Sequence, residues 1–203
     1  MIVYTPLDLP KIEPDDWNVF WDIWNRYSSN LIKTISNGKH SKSVVVGRSD
    51  VWQGLDVIKE NGVTAWEAPF YDIKNELPKL HTSLINLPIP NLWRVRIISS
   101  MIPVGAHSDD NLDRWSVRGF LHYPAKKSQW YFIEPGNITG PRTYITLPED
   151  TMWFAYNDKH CWHGTDYDPK NRKILVQLYY SGKIDEILKN SIEKYKDSTV
   201  EYE

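Results

Sequence analysis

The sequence predicts a mainly β fold with flanking helices, of the sandwich, barrel or jelly-roll kind. Two textures carry that expectation. From residue 91 to 180 the chain passes through short stretches rich in aromatic and β-branched residues, broken by Gly, Pro, Asn and Asp. Successive strands joined by tight turns read this way. On either side, apolar residues recur at helical spacing instead. Length adds a bound: 203 residues suffice for one good hydrophobic core and are few for two. One domain is therefore expected, with residues 1–90 a helical and loop part packed on the sheet, 91–180 the β core, and 181–203 a C-terminal helix and tail.

Taken in order, the elements have local reasons. Asp15 or Asp16 can cap a first helix. Trp17, Phe20, Trp24, Tyr27 and Leu31 form its apolar stripe, and Asn37-Gly38 should end it. Residues 43–47 (SVVVG) read as a strand. Residues 50–59 read as a short helix closed by Asn61-Gly62. Another helix is expected within residues 73–87, with Pro78 near its start. Strands are then expected at residues 92–101, 115–123, 129–134, 142–147, 152–157, 161–165 and 172–180. Residues 183–195 return to helix, with Ile184, Ile187, Leu188 and Ile192 on one side. The final DSTVEYE is expected to fray.

Composition excludes several classes. Lys and Arg total 24 against 26 for Asp and Glu, so net charge gives no reason to expect nucleic acid or an anionic membrane as partner. Cys161 is the one cysteine, which rules out an intramolecular disulfide. The N-terminal MIVYTPLDLPKIEPDD has no basic region followed by an apolar run, so no signal peptide is expected. No stretch approaches the roughly 20 apolar residues needed to span a bilayer. A cytoplasmic protein is the resulting expectation. Ten Trp and twelve Tyr are many for this length. Most should build the core; Trp115, Trp130, Tyr131 and Trp162 lie close enough to the motif residues to line a cleft.

Those motif residues are His107, Asp109 and His163. Ferrous iron used for oxygen chemistry wants two neutral imidazoles and one carboxylate on one face of an octahedron, with the opposite face open. Residues i and i+2 of an extended segment point the same way, so His107-Ser108-Asp109 can supply two ligands. The third must come from elsewhere in the sheet. His160 and His163 differ by an odd number and would face opposite sides of one strand. His163 is preferred for its spacing to Arg172. Activating O2 at iron also needs an electron source, which a keto acid supplies. Its far carboxylate then needs a cation, and the planar fork of Arg suits the task. Arg172 lies nine residues after His163 and shares a strand face with Ile174, Val176 and Leu178.

Together PVGAHSDD, WSVRGFLHYP and WHGTDYDPKNRKILVQLYY resemble the 2-oxoglutarate/iron(II) dioxygenase superfamily, and within it the aspartyl/asparaginyl β-hydroxylase-like proteins. The resemblance covers roughly residues 91–180. It implies a double-stranded β-helix (jelly roll, cupin-like), iron(II) held by His107, Asp109 and His163, and 2-oxoglutarate held by Arg172. It also implies that Arg118, on the strand after the first His, helps hold the co-substrate. Phe120 stands where that branch has a His, and His122 lies two residues further on the same face. The implied reaction consumes 2-oxoglutarate and O2 and hydroxylates an amino-acid side chain in a peptide or protein, or a small molecule. Two other readings stand beside it. A different cupin-type metal enzyme would favour more histidine ligands, such as His160 or His122. A Trp-rich jelly-roll binding module would have no use for three inward ligands.

Overall fold

The computed structural model describes residues 1–30, 32–33, 52–60, 66–100, 104–108, 115–122, 130–166 and 173–202. Along the chain run β1 (Ile2–Leu7), α1 (Trp17–Tyr27), β2 (Ser29–Asn30), β3 (Ile32–Lys33), β4 (Trp52–Lys59), β5 (Trp66–Glu67), α2 (Pro78–Ile85) and β6 (Leu92–Ser100). Then come β7 (Val104–His107), β8 (Trp115–His122), β9 (Trp130–Ile133), β10 (Thr143–Tyr144), β11 (Trp153–Asn157), β12 (Trp162–Thr165), β13 (Ile174–Tyr180), α3 (Asp185–Lys194) and β14 (Val200–Glu201). The fold is mainly β, with antiparallel sheets and flanking helices, as expected. None of the described helices is long and apolar enough to cross a membrane. The chain divides into two compact units.

The first unit comprises Met1–Lys11, Met101–Lys173 and Lys183–Glu203. Its sheets have strand orders β14-β1-β11-β8 and β10-β9-β12-β7. Side chains alternate along a strand and match across a pair. Arg118 is opposite Phe154, and Tyr4 is opposite Tyr156, so these four and Phe120 share one face. Trp130 and Phe132 share a face with Thr165 and His163 by the same rule. The two faces meet. The ring centroids of Tyr4 and Phe132 are 5.3 Å apart, and those of Trp130 and Phe154 are 5.5 Å apart. Among the described residues this aromatic interior takes Trp130, Tyr4 and Tyr156 beside the phenylalanines. On the reverse face of β8, a Cβ at Gly119 would come within 2.6 Å of the Trp153 ring, so only glycine fits there.

Both ends of the chain depart from expectation. Residues 2–7 form β1, between β11 and β14. The tail does not fray: Ile2 pairs with Glu201 and Tyr4 with Val200. The Tyr202 amide donates to the Met1 carbonyl at 2.9 Å. Without β14 the outer N–H and C=O groups of β1 would form an open edge. Other strands were misjudged in extent. Residues 142–147 contribute only Thr143–Tyr144 to the sheet, between Pro141 and Pro148. Residues 104–106, outside every expected strand, join His107 in the extended strand β7.

The second unit comprises Ile12–Ser100 and Ile174–Gly182, with strand orders β13-β6-β4-β2 and β3-β5. The helix expected over 50–59 is instead β4, paired with β6 through Leu55↔Ile97 and Asp56↔Arg96. Its strand alternation was hidden because both faces are buried: Leu55 and Val57 on one, Asp56 on the other. The Asp56 carboxylate accepts from Arg94 and, at 2.9 Å, from Arg96 Nε. Arg96 Nη1 also donates to the Tyr179 hydroxyl at 3.1 Å. α1 ends at Tyr27, where Ser28 turns extended and donates its amide to the Trp24 carbonyl. It does not run on to Asn37-Gly38; those residues, Leu31 and the strand expected at 43–47 lie outside the described residues. Asp16 caps α1 through the amides of Asn18 (2.6 Å) and Val19 (3.3 Å). Asp15 does the same for α2, accepting from Lys79 N at 3.0 Å and Leu80 N at 2.9 Å.

Candidate active site

The register of β7 and β12 sets His107 directly opposite His163. Opposed residues on neighbouring strands stand close, and the two imidazole centroids are 4.4 Å apart with their planes tilted by 51°. His163 is buried and His107 half-buried. A bulge follows in the pairing between His163 and Thr165, the kind of irregularity that re-aims side chains beside sites.

His107 is oriented by its own strand. Its Nδ1 lies 2.8 Å from the carbonyl oxygen of Gly105. A carbonyl only accepts, so Nδ1 carries the proton and the neutral ring keeps its lone pair on Nε2. Metal-ligating histidines are held in just this way by an acceptor behind the ring.

His163 sits against aromatic rings. The Trp130 indole is parallel to it within 4°, at 5.5 Å between centroids. The Tyr156 ring is 4.7 Å away and tilted by 52°. Arg118 enters from the facing sheet. It is 6% exposed, and its guanidinium carbon stands 5.1 Å from the Trp130 ring and 5.4 Å from that of Tyr156. Burial of a cation against two π faces strengthens the attraction. Thr165, two residues beyond His163 on the same face, buries a hydroxyl that makes no hydrogen bond among the described residues. A buried hydroxyl normally has a partner. His122 ends β8, half-buried, and alternation gives it the face of Arg118 and Phe120.

The structure thus brings His107, His163 and Arg118 into one neighbourhood. Asp109 and Arg172 lie outside the described residues, as does His40. Among the described residues no group of three or more His, Cys, Asp or Glu side chains could hold a metal ion. His160 belongs to a short turn (Asp158–His160) ahead of β12, not to the strand that pairs with β7. Of the aromatics singled out from the sequence, Trp130 lines the site. Trp115, Tyr131 and Trp162 are carried on the opposite faces of their strands. Tyr156 and Thr165 were missed. Alternation from Phe154 and from His163 would have put them on the right faces, but nothing in the sequence says which two faces meet.

On the reverse face of β9, Tyr131, Ile133, Ala106 and Arg142 line part of a cleft of about 350 Å³. Arg142 lies over the Tyr131 ring at 4.3 Å and donates to Asp166 at 2.7 Å. Burial pushes the Tyr131 phenol up, Arg142 opposing and Asp166 adding to the shift. Gly105, whose carbonyl faces His107, also borders this cleft.

No family model and no curated protein matches this sequence. Among solved structures, the chain is similar to a crystal structure described as an oxidoreductase of the 2OG-Fe(II) oxygenase family from Burkholderia pseudomallei. The identity is 10% and the TM-score 0.40, over 66% of this chain and 70% of that one. A likeness this distant carries no weight for chemistry, which has to come from the residues themselves.

Proposed function

We propose that the chain is a 2-oxoglutarate-dependent iron(II) dioxygenase on a double-stranded β-helix, hydroxylating an unactivated C–H bond of an amino-acid side chain in a peptide or protein, or of a small molecule. One observation carries the proposal: half-buried His107 and buried His163, far apart in sequence, stand ring beside ring at 4.4 Å on one face of the β7–β12 pair. The donor chemistry fits. Two adjacent imidazoles, one oriented through its Nδ1 by a backbone carbonyl, suit a divalent first-row metal. Asp109, two residues after His107, is the carboxylate the sequence offers to complete the set.

In this reading His107, Asp109 and His163 hold iron(II), Arg172 holds the far carboxylate of 2-oxoglutarate, and Arg118 and His122 assist. Iron bound with 2-oxoglutarate supplies the O2 chemistry that puts oxygen into a C–H bond. The chain's own residues orient and enclose. The Gly105 carbonyl retains the Nδ1 proton of His107. Trp130 and Tyr156 keep water away from His163. Arg118, desolvated and always charged, has the planar fork that suits a carboxylate. The Thr165 hydroxyl is a hydrogen-bond donor on the face of His163.

The test is anaerobic addition of Fe(II) and 2-oxoglutarate, watching for the weak visible charge-transfer band of the chelate. The band and uncoupled succinate formation should both be lost in His107→Ala and in His163→Ala. Undiminished succinate formation in either variant overturns the proposal.

A further inference from the structure

Trp130 is buried, and its indole touches two groups that the proposed site uses differently. On one hand it stacks on the imidazole of His163 within 4° of parallel. On the other it carries the guanidinium of Arg118 at 5.1 Å. We infer that Trp130 is a positioning residue that ties the orientation of His163 to that of Arg118, so that metal binding and carboxylate binding are coupled through one ring. The inference rests on the iron and 2-oxoglutarate reading above.

The argument is geometric. An imidazole can rotate about its Cβ–Cγ bond, and a metal ligand must hold its plane. For His107 a backbone carbonyl 2.8 Å away fixes the plane. For His163 the matching flat surface is the indole, since rotating the imidazole out of parallel loses the stacked contact. Tyr156 also touches both groups, but its ring is tilted by 52° to His163 and so packs without aligning. Arg118 is drawn to the same indole by the negative face of the ring. In a close-packed interior a ring in contact with both groups cannot shift for one without being felt by the other. Coupling of this kind is reciprocal: what metal does to carboxylate affinity, carboxylate does to metal affinity.

The experiment uses the full chain labelled with 5-fluorotryptophan, whose ten Trp give ten 19F positions. The Trp130 resonance is the one absent from Trp130→Phe. Zn(II) alone and succinate alone are the probes; succinate is a dicarboxylate without the keto oxygen that would chelate metal. Each should move the Trp130 resonance in wild-type protein, and each should tighten the other. Trp130→Leu should weaken Zn(II) binding on the order of tenfold, the scale of losing a group that orients a ligand, and should abolish the mutual effect. Trp130→Phe should retain most of both, because a phenyl ring still stacks. Zn(II) binding that is lost in His107→Ala but leaves the Trp130 resonance unmoved overturns this inference alone. Absence of Zn(II) binding by the wild type overturns the iron reading and this inference together. If Trp130→Leu does not fold, the wild-type resonance still decides.

Discussion

At Gly105 the backbone does the work of a side chain. Its carbonyl selects the tautomer of His107, and any L-residue there would offer the same oxygen. A sequence motif cannot display that role. Other residues of the site were legible by type. His107 was offered by ligand chemistry, His163 by its spacing to Arg172, and Arg118 only by the family resemblance. The stack of Trp130 on His163 and the burial of Thr165 were not, because they depend on which sheet faces meet. Arg118 yields a direct prediction. In Arg118→Lys the charge stays but the planar group shared by two rings is lost. Succinate affinity, read by calorimetry, should fall on the order of tenfold, the 1.4 kcal/mol scale of one charge-assisted contact. Unchanged affinity would remove Arg118 from the carboxylate site. Gly119 yields another, on stability. A methyl group there meets the Trp153 ring, so Gly119→Ala should cost about 1–3 kcal/mol, as overpacking does. Urea unfolding should show a lower midpoint at constant slope.

Neighbouring aspartates divide their work between two helices. Asp16 caps the helix it precedes, as its position suggested. Asp15 caps α2, more than sixty residues on, where the local N-cap residue Leu77 offers no side-chain bond. Burial works against ionisation of Asp15, but the amides of Leu80 and Lys79 hold its carboxyl below the usual range. A lowered folded-state value means stability present above the unfolded value near 4 and lost as pH falls through the folded one. Asp15→Ala should therefore lower stability at neutral pH by about 1 kcal/mol or less, a difference that vanishes at low pH in paired urea titrations. The misreading of β4 is of another kind. Nothing local announces Asp56 as a buried strand residue, because its two cations, Arg94 and Arg96, come from a strand some forty residues later. Asp56→Asn takes the anion from between two buried guanidiniums and should cost about 3–5 kcal/mol. A thermal scan that leaves this variant near wild type would argue that the cluster is not stabilised by charge.

On the largest scale, the first unit is assembled from three separated stretches of chain, and both its first and last strands lie in the same sheet. Composition and strand spacing made the β class legible, but not this closure, since residues 1–7 carry too short a pattern to announce a strand and 199–202 look like a polar tail. Removing residues 196–203 should expose the outer edge of β1. Loss of about 2 kcal/mol would lower Tm by roughly 4–8 °C for a chain of this size, with aggregation on heating as the companion sign.

The pairing of β1 with β11 also has a consequence for the nascent protein. Ile2–Leu7 is made before its partner Trp153–Asn157, which emerges only after some 145 further residues, roughly 7–30 s later at ordinary elongation rates. Through that interval an apolar strand, IVYTPL, waits at the ribosome exit without a mate. A stalled or prematurely terminated translation product lacking β11 should thus be a client of chaperones, or a seed for precipitation, in a way that the finished molecule is not.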